Sequence, residues 1–289
     1  MLDANTFIDK NVSKYLNQNF INLKINAESE YGKTLFSDYN GTGYPLLIFL
    51  DSKKNELERF YGFLEPEPFL QKLIDIKNGN NTFPVLQAQY ESGDNSAETM
   101  SILASKYSER GNDSVATLLY QNVILSRNVS SKMFFEAKYF ISSQKLKDGQ
   151  TSELENYINV YPDSPFLKDA VNKLIRYYGK NELTDNEISY FKKYIEKFSD
   201  DPWFLNQFSW RMTELDLNLD LALTKINHAL NIIDHDANGI ANIIDTKAEV
   251  LWKLGKIDEA IKAIEEAILL DPENDYYLNQ KEKFLPSNL

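Results

Sequence analysis

Apolar residues in the first quarter of the chain change their spacing from one short segment to the next. Val12, Tyr15 and Leu16 follow Asp9 at helical intervals, which predicts a helix running to about Asn19. Phe20, Asn22 and Lys24 then alternate with Ile21, Leu23 and Ile25, the period-two pattern of a strand. A helix follows over about Glu30 to Tyr39, carrying Leu35, Phe36 and Tyr39, and Gly41 and Gly43 break it. Leu46 to Leu50 is a continuous apolar run, the pattern of a strand covered on both faces. The polar stretch Asp51 to Asn55 reads as a turn and Leu57 to Tyr61 as the returning strand, so the two form a hairpin. Pro66 or Pro68 opens a last helix through Phe69, Leu70, Leu73 and Ile74.

Asn78-Gly79-Asn80-Asn81-Thr82 is a polar break, and beyond it the strand signal disappears. From Pro84 to Phe284 the pattern is successive helices, each of roughly 12 to 16 residues. The clusters that separate them recur. Pro162, Pro202 and Pro272 stand 40 and then 70 residues apart, the second interval near twice a period of ~34. The missing midpoint falls on the acidic, turn-like stretch Asp234 to Asn238.

Ala248, Leu251, Gly255, Ala260, Ile264, Ala267 and Pro272 place small residues where paired helices touch and a glycine at their turn. The segment 241–272 strongly resembles a tetratricopeptide repeat. Ala104, Tyr107, Gly111, Ala116 and Tyr120 repeat the pattern more loosely. The resemblance implies degenerate units at about 97–129, 131–163, 165–199 and 203–236, with a capping helix through Tyr277, Leu278 and Phe284.

The N-terminal order carries a second resemblance. Asn19 to Glu28, followed by Gly43-Tyr44-Pro45-Leu46-Leu47-Ile48-Phe49-Leu50-Asp51 and a hairpin to Gly62, looks like the later part of a thioredoxin-like domain over about residues 1–76. In that family the matching proline is cis, and the residue before it offers backbone groups to an extended peptide. Gly43, Tyr44 and Pro45 are the peptide-binding residues this implies. The family's Cys-x-x-Cys would fall at or just before Met1, and its central strand would precede it. The two flanking strands then lack their shared neighbour. Direct pairing of those strands, a strand from a partner, or an open reading frame begun at an internal Met would each answer this, and the last is the expectation.

Composition narrows the chemistry. The chain has no cysteine, so it offers no disulfide, no thiolate and no sulfur-ligated zinc. His228 and His235, its two histidines, stand seven apart, too far for the adjacent-turn clamp of a zinc hydrolase. No metal or cofactor is expected. A net charge of −12 argues against nucleic acid and anionic membrane surfaces as partners. The longest uninterrupted strand-like run is only Leu46 to Leu50, far from the ~20 residues that cross a bilayer. Met1-Leu2-Asp3-Ala4 does not open a signal peptide. The chain as written reads as cytoplasmic, and as periplasmic or envelope-located should a signal peptide precede it.

Glu65 and Glu67 sit in an exposed turn rather than a catalytic pair. Trp203, Trp210 and Trp252, with Phe204 and Phe208, are candidates for a peptide groove on the helical array, although aromatics at helical spacing more often fill interiors. The expectation is an α/β, thioredoxin-like but incomplete domain over residues 1–78. An all-α tetratricopeptide-like helical solenoid follows over 79–289. The whole would be redox-silent and would bind proteins or extended peptides, in an oligomeric state the sequence leaves open. The alternative is a fragment of a thiol-disulfide oxidoreductase serving redox homeostasis, as the resemblance to bacterial proteins with this fusion implies.

Overall fold

The computed structural model describes residues 2–234 and 237–285. The chain divides into two compact units, Met1–Ala170 and Val171–Leu289. The last described strand ends at Tyr61, and the division expected at 78/79 falls inside the first unit, so it and the compact units are different divisions of the chain.

Unit 1 opens with a wide helical turn over Leu2–Thr6 and then α1 (Lys10–Asn19). Asp9 starts α1 by accepting from the backbone amides of Asn11 and Val12 at 2.9 and 3.0 Å. Ser29 does the same for α2 (Glu30–Asp38), accepting from the Gly32 amide at 3.0 Å. The expected hairpin is present: β1 (Leu46–Leu50) and β2 (Glu56–Tyr61) pair antiparallel, with an irregularity at Phe49/Leu50. Pro66 begins α3 (Pro66–Asn78), and Gly79 ends it at φ +75°. The Tyr44–Pro45 peptide is cis.

Two sequence expectations fail here. The strand over Phe20 to Asn26 does not form: among the described residues the sheet holds only β1 and β2. Phe20 packs on Phe49 with ring centroids 5.6 Å apart, but Ile21 and Leu23 are 94% and 81% exposed. Alternation only says that one face of a segment favours cover, and a strand also requires a neighbour's backbone groups. For the same reason β1 is not covered on both faces; its residues are half-buried and Leu50 is exposed. The sheet of a thioredoxin-like domain is therefore not formed among the described residues.

The small core of this region joins Val12, Phe69 and Leu73 to Phe7, Phe20, Leu47 and Phe60. After it come α4 (Phe83–Glu91), α5 (Ala97–Glu109), α6 (Asp113–Leu125), α7 (Ser131–Gln144) and α8 (Ser152–Val160). Leu86, Leu103, Ala104, Ala116, Tyr120 and Ala137 form a second core. A buried ionic cluster joins the hairpin to α5. Glu58 of β2 pairs with Lys106, and Arg110 Nη2 lies 2.7 Å from Glu56 Oε1. Arg59 donates to the carbonyls of Tyr39 at 2.7 Å and Glu109 at 3.2 Å.

Unit 2 contains most of α9 (Leu167–Lys180), then α10 (Thr184–Tyr194), α11 (Pro202–Leu215), α12 (Leu219–Ile232), α13 (Ala237–Lys253), α14 (Ile257–Leu270) and α15 (Asp275–Phe284). Each interval that the sequence marks as a unit holds one helix pair, from α5 with α6 to α13 with α14. The turns inside these pairs share one device. Gly111, Gly149, Glu182, Asp216 and Gly255 all have positive φ shortly after the first helix of their pair, and Asn218 has it at the start of α12, left-handed positions that turn the chain between the two helices. Ala248, Ala260 and Ala267 are fully buried between α13 and α14, because only a methyl-sized side chain lets these two helices approach so closely.

Candidate functional site

The first helices of three successive pairs in unit 2, α9, α11 and α13, contribute to one groove of about 560 Å³. Arg176 and Gly179 of α9, Asn206, Trp210, Arg211 and Glu214 of α11, and Asn242 and Asp245 of α13 line it. Glu187 of α10 and Tyr276 of α15 complete its walls. Asp201 caps α11, accepting from the Trp203 and Phe204 amides at 2.9 and 3.1 Å, and Pro202 fills its first position. That start sets the phase in which Phe204, Leu205 and Phe208 turn inward while Asn206 and Trp210 reach the groove.

One side of the groove is a closed ionic set. Arg211 Nε and Nη2 donate to Glu187 Oε1 and Oε2 at 2.8 and 3.1 Å, and Nη1 donates to Glu214 Oε2 at 2.9 Å. The bond donated to Glu187, foremost, holds the guanidinium above its ordinary pKa. Trp210 Nε1 donates to Glu214 Oε1 at 3.1 Å and so is fixed in place. Gly179 makes room for the buried Glu187 carboxylate: a Cβ there would lie 2.7 Å from Glu187 Oε1.

The other side is polar and unsatisfied. Asn172, one turn before Arg176 on α9, together with Asn206 and Asn242, recurs at intervals of 34 and 36 residues, the repeat length. Asn206 Nδ2 donates to Asn242 Oδ1 at 3.2 Å. The Oδ1 atoms of Asn172 and Asn206 are buried without a hydrogen-bond partner, as is Oδ1 of Asp245. Asp245 is 4% exposed. Burial, helped by the neighbouring Glu249 charge, pushes its carboxyl up to about 7, against partial relief from Gln280, Lys283 and Tyr276. Glu249 itself accepts from Lys283 Nζ at 2.7 Å through each oxygen.

Of the aromatics the sequence offered for a groove, Trp210 lines this one. Phe204 and Phe208 are buried in the interior, Trp203 is half exposed elsewhere, and Trp252 packs on Phe284 beneath Lys283. Tyr276 and the asparagines were not anticipated, although the Asn spacing at the repeat period was there to be read. In unit 1, Tyr44 is 61% exposed and its ring lies tilted against Phe36, with centroids 4.5 Å apart. The Pro45 carbonyl accepts from the Gly62 amide at 2.9 Å, and Gly43 lies close to the Tyr61 ring.

His228 Nε2 lies 3.0 Å from the Ser199 carbonyl, and His235 is outside the described residues. Among the described residues no group of His, Cys, Asp and Glu is placed to hold a metal ion. No described helix is long and apolar enough to cross a membrane. A second cavity of about 700 Å³ in unit 1 opens over Glu58 and Lys106, which pair with each other.

Comparison with known families places a tetratricopeptide repeat at residues 241–274, the helix pair α13 and α14 that packs through Ala248, Ala260 and Ala267. Residues 241–274 thus form a tetratricopeptide repeat. Among solved structures, the chain is similar to YrrB, described as a TPR protein with an unusual peptide-binding site. The identity is 15% and the TM-score 0.47, covering 68% of this chain and 97% of that one. It is also similar to TTC0263, a thermophilic TPR protein of Thermus thermophilus. Here the identity is 19% and the TM-score 0.36, over 65% of this chain and 98% of that one. Comparison with curated proteins finds no match.

Proposed function

We propose that unit 2 docks an extended polypeptide segment, whose main chain is held by the asparagines on successive repeats. The single observation that carries this reading is the pair of buried, unpartnered amide oxygens of Asn206, which lines the groove, and of Asn172, one turn before the groove residue Arg176 on α9. A carboxamide has both an acceptor and two donors, so it can take up a peptide N–H and C=O together. Each buried acceptor left unmet costs about 1–3 kcal/mol. An arriving main chain would relieve that cost at Asn172 and Asn206, and three carboxamides at the repeat spacing suit a partner without folded structure of its own.

The test uses a library of N-acetylated, C-amidated nine-residue peptides and the full chain. Asn206→Ala and Asn172→Ala should each weaken binding of the selected peptides by about tenfold, with little loss of stability, since each removes an unmet oxygen. Unchanged binding in both variants would overturn the reading.

A second reading concerns residues 1–78: an incomplete, redox-silent thioredoxin-like piece presenting Gly43, Tyr44 and Pro45 to a peptide. The order of α1, α2, the β1–β2 hairpin and α3, and the exposure of Tyr44, support it; the missing strand over Phe20 to Asn26 weighs against it. With no cysteine the chain should reduce a disulfide substrate no faster than buffer. The oxidoreductase alternative puts a Cys-x-x-Cys upstream of Met1, and an in-frame stop codon immediately before Met1 would end it.

A further inference from the structure

We infer that the segment docked in the unit 2 groove carries a lysine or arginine side chain, received by Asp245 on the groove floor. This rests on the docking role proposed for the asparagines and adds the chemistry of the partner. Every other acid lining the groove is already matched: Glu187 and Glu214 share Arg211. Among the described residues, Asp245 alone lines the groove with a buried carboxylate oxygen that has no partner.

Its surroundings explain the selectivity. The charged and titratable groups facing Asp245 are Glu249 on its own helix and Tyr276, Tyr277 and Lys283 on α15, with Gln280 between them. Lys283 is held by both oxygens of Glu249, and Gln280 Nε2 donates to the Tyr276 hydroxyl at 2.9 Å. The local cation is therefore committed elsewhere, and a carboxylate sits on the floor without a counter-ion. An incoming ammonium or guanidinium supplies both the donor and the charge. An incoming carboxylate would meet Asp245 and Glu249 and be repelled.

The partner's charge also couples to protons. Asp245 has a carboxyl pushed up to about 7, so it must lose its proton to pair with a cation, and the gain from a basic residue grows as pH rises from about 6 to 8. A neutral peptide lacks this dependence.

The experiment takes a peptide selected on the full chain, N-acetylated and C-amidated, with its central residue made Lys, Arg, Gln or Glu. Affinities are read by fluorescence anisotropy at pH 6 and pH 8. The Lys and Arg forms should bind about tenfold tighter than the Gln form at pH 8, by a smaller factor at pH 6, and the Glu form should bind weakest. In Asp245→Asn the Lys-to-Gln ratio should fall to near one at both pH values. A Lys-to-Gln ratio near one in the unaltered chain, while Asn206→Ala still weakens binding, would overturn the inference and leave the docking role standing. A preference for Lys that survives Asp245→Asn would also overturn it. Absence of binding by every peptide, in a chain with its helical circular dichroism intact, would sink both.

Discussion

Replacing Lys106 by methionine should release the hairpin from α5. Glu58 and Lys106 are 1% and 6% exposed and pair across the junction. Burial holds the ammonium below its ordinary pKa, with Glu58 the main opposing influence. Removing one member of a buried pair costs about 3–5 kcal/mol, because the other charge stays behind in a poorly solvated place. Arg110 Nη2, 3.8 Å from Glu58 Oε1, remains to offset part of this, so the lower end, about 3 kcal/mol, is the expected loss. That corresponds to about a hundredfold rise in local opening. Hydrogen exchange read by mass spectrometry localises the effect: amides of Leu46–Leu50, Glu56–Tyr61 and Ala97–Glu109 should lose protection, while those of Ile257–Leu270 keep theirs. Adding Glu58→Gln to Lys106→Met should recover at least about half the loss, since no unpaired charge is then left buried. If Lys106→Met leaves the hairpin's exchange unchanged, or if the double variant exchanges as fast as the single one, the pair does not hold this junction.

Two further outcomes follow from unit 2. Gly255 lies at φ +75° with open space where a Cβ would go, so Gly255→Ala should cost about 1–2 kcal/mol through the backbone alone; urea unfolding followed by Trp252 fluorescence checks this, and an unshifted midpoint refutes it. Asp245 has a folded carboxyl pushed up to about 7 from an ordinary 3.8, so the folded state holds this proton more tightly than the unfolded chain does. Its contribution to stability is full below about pH 4 and is lost as pH rises through about 7. Asp245→Asn does not titrate, and should therefore gain on the unaltered chain between pH 5 and pH 8, by about 2–4 kcal/mol at most. Parallel urea midpoints across that range would refute the shift.

Much of the helical region was legible because its signals are local. The i, i+3, i+4 spacing, the caps Asp201 and Asn274, and glycines such as Gly111 and Gly255 act within a turn or two of chain. The boundaries of the helix pairs followed from them. The groove was harder to read. Trp210 is one of five aromatics the sequence offers for a groove, but its place beside Asn206 and Asp245 depends on three helices that lie more than 60 residues apart from first to last. The asparagines do not stand out in the sequence, since a polar residue on a helix face is ordinarily solvated. Their recurrence at the repeat length was the available signal.

The order of amino acids by itself determined the run of helix pairs, the tetratricopeptide character of residues 241–274 and the absence of thiol chemistry. Each rests on composition or on spacings shorter than one repeat. Only the tertiary structure decided that Ile21 to Ile25 stays out of the sheet, and that Asn172, Asn206 and Asp245 keep buried oxygens unpaired. A strand exists only when another backbone completes its ladder, and a polar atom is unsatisfied only when packing has removed both water and protein partners. Neither condition is a property of the segment that carries it.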